Sequence, residues 1–372
     1  MLKFSVLFNF IMITYGFSVP TLEEQVGQMI MVGFYGTVIS DKSPIVYEIK
    51  NYKIGGVILL DHEKGNIRNI ENSNQLKKLT KSLQKYTKDN GLLPLFISID
   101  QEGGLISNLK EEKGFYLLSN MSEKQLGELK DNVLAETQAY EQGQLMKSLG
   151  INLDFSPVVD LDINPNNPAI GLLGRSFGRD ASLVVGMAQS QINGYHSANI
   201  MCTLKHFPGL GSASANTDFS DADVTSSWSS KELVPYKHLI NMDHPCQFIM
   251  VTHLINKKLD KTEELASLSK TIVTDLLRKK LNFQGLIITD NLDAKAITNR
   301  YSISDAVRKA ILAGNDIVLI AGTQGNNPYL DAEIAFNTIL NLAKKCKSTR
   351  HHVLSSYLKI RAVKEKYFKN NI

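Results

Sequence analysis

The sequence of 372 residues predicts an α/β fold, a (β/α)8 barrel of the TIM type with a C-terminal helical extension. Eight short runs are almost continuously hydrophobic, as expected for parallel strands that are buried on both faces. Segments with helix signals follow most of these runs. No repeat, low-complexity tract or long linker divides the chain, so one barrel domain over residues 19–372 is the simplest interpretation. A doubly wound open sheet is the alternative.

The eight predicted strands follow one another between residues 27 and 322, which is the size and rhythm of a barrel. In chain order they read GQMIMVGF, IGGVILLD, LPLFISID, INLDFSPVVDL, IMCTLKHFPG, QFIMVTHL, GLIITDN and DIVLIAG. The carboxyl ends of such strands meet at one mouth, where catalytic groups gather. Polar residues at these ends are therefore the candidates for function.

Two intervening segments show how the predicted helices begin and end. In SLSKTIVTDLLRKKLNFQG, Ser269 is the predicted N-cap and Gly285 the predicted stop. In SISDAVRKAILAGND, Gly314 closes the helix in the same way. A helical extension is expected to follow from about Asp331.

The N-terminal segment MLKFSVLFNFIMITYGFS has the pattern of a secretory signal peptide over residues 1–18. Lys3 precedes a short apolar core, and Gly16 and Ser18 give a small-x-small cleavage pattern. The core is shorter than the roughly 20 apolar residues of a membrane span. We therefore expect a secreted or periplasmic protein without stable membrane insertion after cleavage, and an uncleaved anchor is the alternative.

The net charge of +4 is small for this length, and it gives no reason to expect a nucleic-acid partner. The basic segments near the C-terminus are interpreted as solvated helix faces. Cys202, Cys246 and Cys346 have no metal-like spacing, and their odd number leaves at least one unpaired. Cys202 and Cys246 lie in apolar strand-like runs, so buried free thiols are expected.

Charged and polar side chains are concentrated at the ends of predicted strands three to seven. They are Asp100, Asp160, Arg175, Lys205, His206, His253 and Asp290. The sequence has no H-x-H or H-E-x-x-H metal motif, no G-x-S-x-G elbow and no G-x-G-x-x-G after a strand. Neither a metal nor a cofactor is therefore predicted. Two carboxylates beside hydroxyl-binding groups suit glycoside hydrolysis instead.

Four long motifs in order carry a resemblance to a known family. IDQEGGL at residues 99–105 corresponds to IDQEGGR, and KHFPGLG at 205–211 to KHFPGHG. GLIITDNL corresponds to GVxxSDDL, and NLDFSPVVDLDINPNNPAIGLLGRSF at 152–177 corresponds to NFxPVVDLNINPxNPxIGxxGRSF. The chain resembles the single-domain β-N-acetylhexosaminidases of glycoside hydrolase family 3 over nearly its whole length.

The resemblance implies a retaining hydrolase that removes terminal β-linked N-acetylhexosamine from cell-wall or chitin-type glycans. Asp290 matches the nucleophile that forms a covalent glycosyl-enzyme. The matched groups that hydrogen-bond the sugar are Asp100, Arg175, Lys205 and His206, and charged groups suit this task because they form strong, directional hydrogen bonds. His253, at the end of the sixth run, completes the predicted binding set. Asp160 is expected to support the site.

The chain departs from the family where the proton donor is expected. The family places an Asp-His pair, in the motif DSH, on the loop after the fifth strand, whereas this chain has NTD at residues 216–218. The His of PGHG is Leu210, and the Arg of EGGR is Leu105.

Two hypotheses follow from this departure. In the first, Asp218 is the general acid and base, its pKa raised by apolar neighbours such as Leu210, Phe219 or Leu105, and Asn216 supports it by hydrogen bonding. In the second, the protein is catalytically impaired and binds glycans or a partner through the retained pocket. Transfer of the sugar to phosphate is a third possibility, but an ionised Asp218 would repel phosphate and therefore favours water.

Overall fold

The computed structural model describes residues 20–63, 65–322 and 330–369. The predicted signal peptide lies outside these ranges. One parallel sheet organises the chain, and its strands are β1 (Ile30–Gly33), β2 (Gly56–Ile58), β3 (Phe96–Ile99), β4 (Leu153–Asp154), β5 (Thr203–Phe207), β6 (Phe248–Val251), β7 (Leu286–Asn291) and β8 (Ile317–Ile320). Each lies within one of the eight runs that the sequence predicts as strands.

The sheet closes on itself and forms a barrel. The hydrogen-bonded strand order is β4-β3-β2-β1-β8-β7-β6-β5. Parallel bridges from Leu153 to Met201 and from Val158 to Lys205 join the β4 segment to the β5 segment. The (β/α)8 prediction is confirmed, and the open-sheet alternative is wrong.

Helices surround the strands, as a barrel whose outer face is apolar requires. The α-helices are Leu22–Gln28, Pro44–Tyr52, Ser73–Asp89, Glu123–Leu129, Asn132–Ser148, Ala181–Ser197, Val234–Leu239, Lys295–Thr298, Ile303–Ala313, Leu330–Lys345 and Lys347–Phe368. A π-helix spans Thr271–Lys280, and short 3₁₀ turns lie at Glu111–Lys113, Ser230–Leu233 and Ala266–Leu268. Two small hairpins follow β2 and β3, and they pair His62–Glu63 with Asn66–Ile67 and Gln101–Gly103 with Ile106–Ser107.

The predicted helix signals are only partly correct. Gly314 ends its helix in the left-handed conformation, with φ +107°, as predicted. Ser269 also acts at a helix start, because its hydroxyl accepts a hydrogen bond from the N–H of Ile272 at 3.1 Å. Gly285 is not the stop. That helix ends at Lys280, and Asn282 takes the left-handed turn with φ +57°.

The C-terminal helical extension closes the end of the barrel opposite the mouth. Lys364 is buried, and its Nζ donates to Gln28 Oε1 at 2.6 Å and to the carbonyl oxygen of Gly55 at 2.8 Å. The same ammonium lies 4.5 Å from the ring centroid of Phe96. In the described part of the chain, no helix is long and apolar enough to cross a membrane.

The structure corrects the prediction of free thiols. Cys202 and Cys246 form a disulfide, with their Cα atoms 5.0 Å apart. Cys202 directly precedes β5 and Cys246 lies two residues before β6, and Thr203 pairs with Phe248, so the strand register brings the two cysteines together. A sequence separation of 44 residues gave no sign of this pairing. Cys346 is free and exposed.

Candidate active site

A cavity of about 620 Å³ opens at the carboxyl ends of the strands, a size typical of small-ligand sites. Six of the seven site residues predicted from the sequence line it, namely Asp100, Arg175, Lys205, His206, Asp218 and Asp290. They come from the ends of β3, β5 and β7 and from the loops after β4 and β5. The fold therefore brings together groups that are up to 190 positions apart in the chain, from Asp100 to Asp290.

The floor of the cavity is a network of buried opposite charges. Lys205 Nζ lies 2.6 Å from Asp100 Oδ1 and 2.6 Å from Glu102 Oε1. Arg175 donates two hydrogen bonds to the same Glu102, from Nε to Oε2 at 2.8 Å and from Nη2 to Oε1 at 2.6 Å. Glu102 is completely buried, so its carboxylate holds both cations at fixed positions.

The attraction between opposite charges favours the ionised forms of Glu102, Arg175 and Lys205. Burial alone would raise the pKa of Glu102, but Arg175 and Lys205 lower it to about 2. Burial would likewise lower the pKa of Arg175 and of Lys205, yet the carboxylates of Glu102 and Asp100 raise both above their ordinary values. Sequence reasoning missed Glu102, although it stands inside the quoted IDQEGGL motif. Its partners come from strand β5 and from the loop after β4, so no local pattern shows its role.

His206 is held by a second carboxylate beside this floor. Asp160 Oδ2 lies 2.6 Å from His206 Nδ1 and 3.2 Å from the backbone N of the same residue. The other oxygen of Asp160 accepts the N–H of Leu210 at 2.7 Å. Asp160 thus fixes the ring and the following turn, which agrees with its expected supporting role. His206 Nε2 faces the cavity, 3.3 Å from Arg175 Nη2.

The turn after β5 passes close to the β4 loop, and glycine permits this approach. A Cβ on Gly211 would overlap the carbonyl oxygen of Leu161. Leu210, which stands where the resembled family has His, is buried with 2% of its surface exposed. The position therefore contributes apolar packing to the cavity wall rather than a polar contact.

Asp290 lies on β7 at the bottom of the cavity. Its Oδ1 accepts the N–H of Asn291 at 2.8 Å, which orients the carboxylate. Burial alone would raise its pKa, but the neighbouring His253 and His206 rings, the Asn291 N–H and Lys205 bring the pKa below its ordinary value. Asp290 is therefore an ionised carboxylate at neutral pH.

Asp218 stands on the loop after β5 and overhangs the same cavity. Asn216 Oδ1 accepts the N–H of Asp218 at 2.9 Å. The N–H groups of Lys295 and Ala296 donate to the carbonyl oxygens of Asp218 and Thr217, each at 3.1 Å. The loop is thus docked on the start of the helix after β7, the strand that carries Asp290.

The carboxyl of Asp218 titrates differently from that of Asp290. Desolvation by the cavity walls, followed by the negative charge of Asp290, raises the pKa of Asp218 to about 6. Asp218 nevertheless remains solvent-exposed at the rim, and this exposure limits the desolvation in the open cavity. A bound ligand that displaces the remaining water would raise the pKa further.

Two details of the predicted support for Asp218 need correction. The Asn216 side chain bonds the backbone N–H of Asp218 rather than its carboxyl, so it shapes the loop. Leu105 is 73% exposed and does not line the cavity, so it does not desolvate Asp218. Leu210 and Phe219 do line the cavity.

His253 is the predicted binding residue that does not line the cavity. Its ring is completely buried, with Nδ1 2.7 Å from Ser267 Oγ and Nε2 2.8 Å from the carbonyl oxygen of Asn291. Burial lowers its pKa. With both ring nitrogens engaged, His253 is better described as a positioning residue for the end of β7 than as a direct ligand contact.

Further buried carboxyls surround the charged floor. Asp154 Oδ1 accepts the N–H of Gln101 at 3.0 Å, and burial raises its pKa to about 7. Glu123 is completely buried, neither of its oxygens has a hydrogen-bond partner, and burial followed by the charge of Glu102 raises its pKa well above the ordinary value. Within the described ranges, no three or more His, Cys, Asp or Glu side chains are grouped so as to hold a metal ion.

Comparisons with known proteins agree with this architecture. A sequence profile of the glycosyl hydrolase family 3 N-terminal domain matches residues 21–363. The β-hexosaminidase of Nitrosomonas eutropha is 31% identical over 300 residues, which are 78% of this chain and 80% of that protein.

Other similar proteins are longer than this chain. The β-hexosaminidase A of Pseudoalteromonas piscicida is 32% identical over 286 residues, 73% of this chain but 46% of that protein. A solved glycoside hydrolase family 3 β-N-acetylglucosaminidase from Paenibacillus sp. FPU-7 matches with a TM-score of 0.84 and 28% identity, over 95% of this chain and 64% of that chain. This chain thus spans about half to two thirds of these two proteins.

Proposed function

This chain belongs to glycoside hydrolase family 3, and we propose from that premise that it hydrolyses terminal β-linked N-acetylhexosamine residues of glycans. One observation carries the proposal: two carboxyl groups with opposite pKa shifts share one sugar-sized cavity. The pKa of Asp290 is lowered and that of Asp218 is raised to about 6. Such a divergence assigns the ionised group as nucleophile and the protonated group as general acid.

The reaction then proceeds in two displacements. Asp290 attacks the anomeric carbon while Asp218 gives its proton to the glycosidic oxygen, and the leaving alcohol departs. Asp218, now ionised, takes a proton from a water molecule that attacks the anomeric carbon and releases Asp290. The product keeps the β configuration because the anomeric carbon is inverted twice.

The charged floor supplies the binding energy for the sugar. Asp100, Lys205, Arg175 and His206 present directed donors and acceptors for hydroxyls and for the N-acetyl group. Glu102 is too deeply buried to line the cavity, and it positions Arg175 and Lys205. Fixed charges of this kind do not reorganise during the reaction, so they stabilise its transition state effectively.

The comparisons favour a hydrolase and give no support to the glycan-binding alternative. The matched relatives are named β-hexosaminidases. Asp290, which matches the family's nucleophile by sequence resemblance, lies near the end of β7. The altered loop still presents a titratable carboxyl in the cavity. Water is the proposed acceptor, because an ionised Asp218 repels phosphate.

The test is hydrolysis of an activated aryl β-N-acetylglucosaminide by the purified protein. An activated leaving group needs little protonation, so this assay examines Asp290 independently of the altered loop. We expect turnover that Asp290→Asn abolishes and that Asp41→Asn, an exposed aspartate away from the cavity, leaves unchanged. Proton NMR should show the β anomer as the first product. Turnover that survives in Asp290→Asn would refute the assignment.

We also propose that the protein is exported, to the cell exterior or the periplasm, and acts there on cell-wall (peptidoglycan) or chitin-type glycans. The signal-like sequence at residues 1–18 and the Cys202–Cys246 disulfide support export, because disulfides persist mainly in oxidising compartments. The proposal expects mature protein that begins at Val19 and carries one free thiol. Recovery of the protein only inside the cell, with its N-terminus intact, would contradict it.

A further inference from the structure

The loop that carries Asp218 is mostly exposed. Between Ala213 and Ala222, which are both buried, Thr217 is buried and the other residues are partly or fully exposed. The carboxyl of Asp218 must nevertheless come within hydrogen-bond reach of the glycosidic oxygen to give it a proton. The contacts that fix this loop therefore determine whether Asp218 can act.

Hydrogen bonds within the loop join residues 216–220 into one turn. The N–H groups of Phe219 and Ser220 both donate to the carbonyl oxygen of Asn216, each at 3.0 Å. The side chain of Asn216 accepts the N–H of Asp218 at 2.9 Å. Because these bonds hold the turn in one shape, a contact just beyond it also fixes the position of Asp218.

Arg300 provides such a contact. Asp221 follows the turn directly and accepts three hydrogen bonds from Arg300, from Nη2 to Oδ2 at 2.6 Å and from Nε to each carboxylate oxygen at 3.2 Å. A guanidinium that forks onto a carboxylate in this way fixes direction as well as distance. Arg300 lies two residues after the short helix Lys295–Thr298, whose first N–H groups already hold carbonyl oxygens of the turn. Residues 295–300 thus hold the loop by backbone contacts and by an ion pair.

The same segment is continuous with the strand that carries the nucleophile. Lys295 lies only five positions after Asp290 in the chain. The connection between them is tied to β8, because the Leu292 N–H donates to a β8 carbonyl oxygen at 2.9 Å and Asp293 Oδ2 accepts the N–H of Gly322 at 2.7 Å. This one segment therefore sets where the proton donor stands relative to the nucleophile.

We infer that Asp221 and Arg300 are positioning residues of the reaction, whose ion pair holds the loop where Asp218 can protonate the leaving group. The inference rests on the proposed function and extends it to two residues that are not among the described residues lining the cavity. The side chains of Arg300 and Asp221 are 32% and 42% exposed, so their pair adds little to the stability of the fold. Its contribution is orientation, because a misplacement of about 1 Å can cost about 100-fold in rate.

The test compares kcat/KM on methyl β-N-acetylglucosaminide, whose leaving group needs a proton, with kcat/KM on the activated aryl substrate, whose leaving group needs little. An exposed ion pair of good geometry is worth up to about fivefold in an equilibrium, and Arg300→Asp adds repulsion to its loss. We therefore expect Arg300→Asp to lower activity on the methyl glycoside at least about fivefold and on the aryl glycoside less than about twofold. The exchanged pair, Asp221→Arg with Arg300→Asp, should restore the methyl-to-aryl ratio to within about twofold of wild type.

Arg361→Asp is the matched control. Arg361 pairs with Glu365 at 2.7 Å, and the two side chains are 31% and 43% exposed, almost the same as in the Arg300–Asp221 pair. This control pair lies on the last helix, at the opposite end of the barrel from the mouth. Arg361→Asp should leave the methyl-to-aryl ratio unchanged, and urea unfolding of each variant shows that the barrel is intact.

The outcomes separate this inference from the function on which it rests. An unchanged ratio in Arg300→Asp, an exchanged pair that does not restore the ratio, or an equal change in Arg361→Asp would overturn the inference, while a selective loss in Asp218→Asn would uphold the proposed function. Equal losses on both substrates in Asp218→Asn would overturn the general-acid role and the inference with it. A selective loss on the methyl glycoside that the exchanged pair reverses would support the inference.

Discussion

Replacing Glu102 with glutamine removes one negative charge from between two buried cations and changes little else. Glutamine has nearly the same volume, so the packing of the barrel is preserved. Its amide, however, turns a donor toward Arg175 or Lys205, each of which presents donors to Glu102 at 2.6–2.8 Å. Both cations lose a charged partner in the protein interior, which is the costly way to break a buried ion pair.

The pKa of Glu102 gives the size of this effect. Arg175 and Lys205 overcome the burial penalty and lower the pKa from the ordinary 4.5 to about 2. At about 1.4 kcal/mol for each pH unit, this difference corresponds to about 3 kcal/mol of stability at pH 7. The folded-state pKa is depressed, so the stabilisation is complete above pH 4.5 and is lost as the pH falls through about 2. Less than half of it remains at pH 3.

The assay is urea unfolding of wild type and Glu102→Gln across a pH series. Wild type should exceed the variant by about 3 kcal/mol at pH 7, and the gap should shrink at pH 3. KM for the aryl substrate should also rise, because Arg175 and Lys205 lose their fixed positions.

Glu123→Gln is the matched control. Glu123 is equally buried, its carboxyl oxygens have no hydrogen-bond partner, and its raised pKa favours the neutral form. Because the folded state disfavours its charged form, Glu123 costs stability as the pH rises above 4.5, and glutamine should be neutral or stabilising at pH 7. Equal losses in the two variants, or a Glu102 effect that does not change with pH, would refute the electrostatic reasoning.

Three further predictions concern the reaction and the disulfide. Asp218→Asn should lower kcat/KM about 10²–10⁴-fold on alkyl glycosides but less than tenfold on activated aryl ones, and equal losses on both would contradict its role as general acid. Activity on alkyl glycosides should fall as the pH rises through about 6, because Asp218 must be protonated to donate to a poor leaving group, and Asp218→Asn should abolish that alkaline limb of the pH–rate profile. The double variant Cys202→Ala, Cys246→Ala should lower the free energy of unfolding in urea by up to about 4 kcal/mol, because the disulfide closes a loop of 44 residues. Its kcat should be unchanged, because the bridge lies at the opposite end of the barrel from the cavity.

The fold was largely predictable because buried parallel strands leave a local signal. A run such as GLIITDN is apolar on both faces and contains β7 in full. Five of the six cavity residues were also predictable, since strand ends in a barrel converge at one mouth, and Asp218 was found from the family resemblance. The family resemblance added the roles of Asp290 and of its neighbours.

The remaining features depend on distances that no local pattern encodes. Glu102 has its role only because Arg175, on the loop after β4, and Lys205, on β5, lie beside it in the fold. The register of β5 against β6 brings Cys202 beside Cys246. His253 follows β6 as the other polar residues follow their strands, yet its ring is buried against Ser267 and the Asn291 carbonyl. Whether a strand-end side chain faces the cavity or packs beneath it depends on the tertiary fold.

The contact of Lys364 with Gln28 has a consequence for how the protein is made. The two residues are 336 positions apart, and β1 likewise pairs with β8, the last strand of the barrel. Contacts of such long sequence separation form late, after the entropy of closing the intervening chain has been lost. During synthesis on the ribosome, β1 and the first helix therefore lack β8 and the last helix as neighbours until almost the whole chain has been made. During synthesis the apolar edge of this nascent half-barrel needs protection from other chains, which makes it a natural site for chaperone binding.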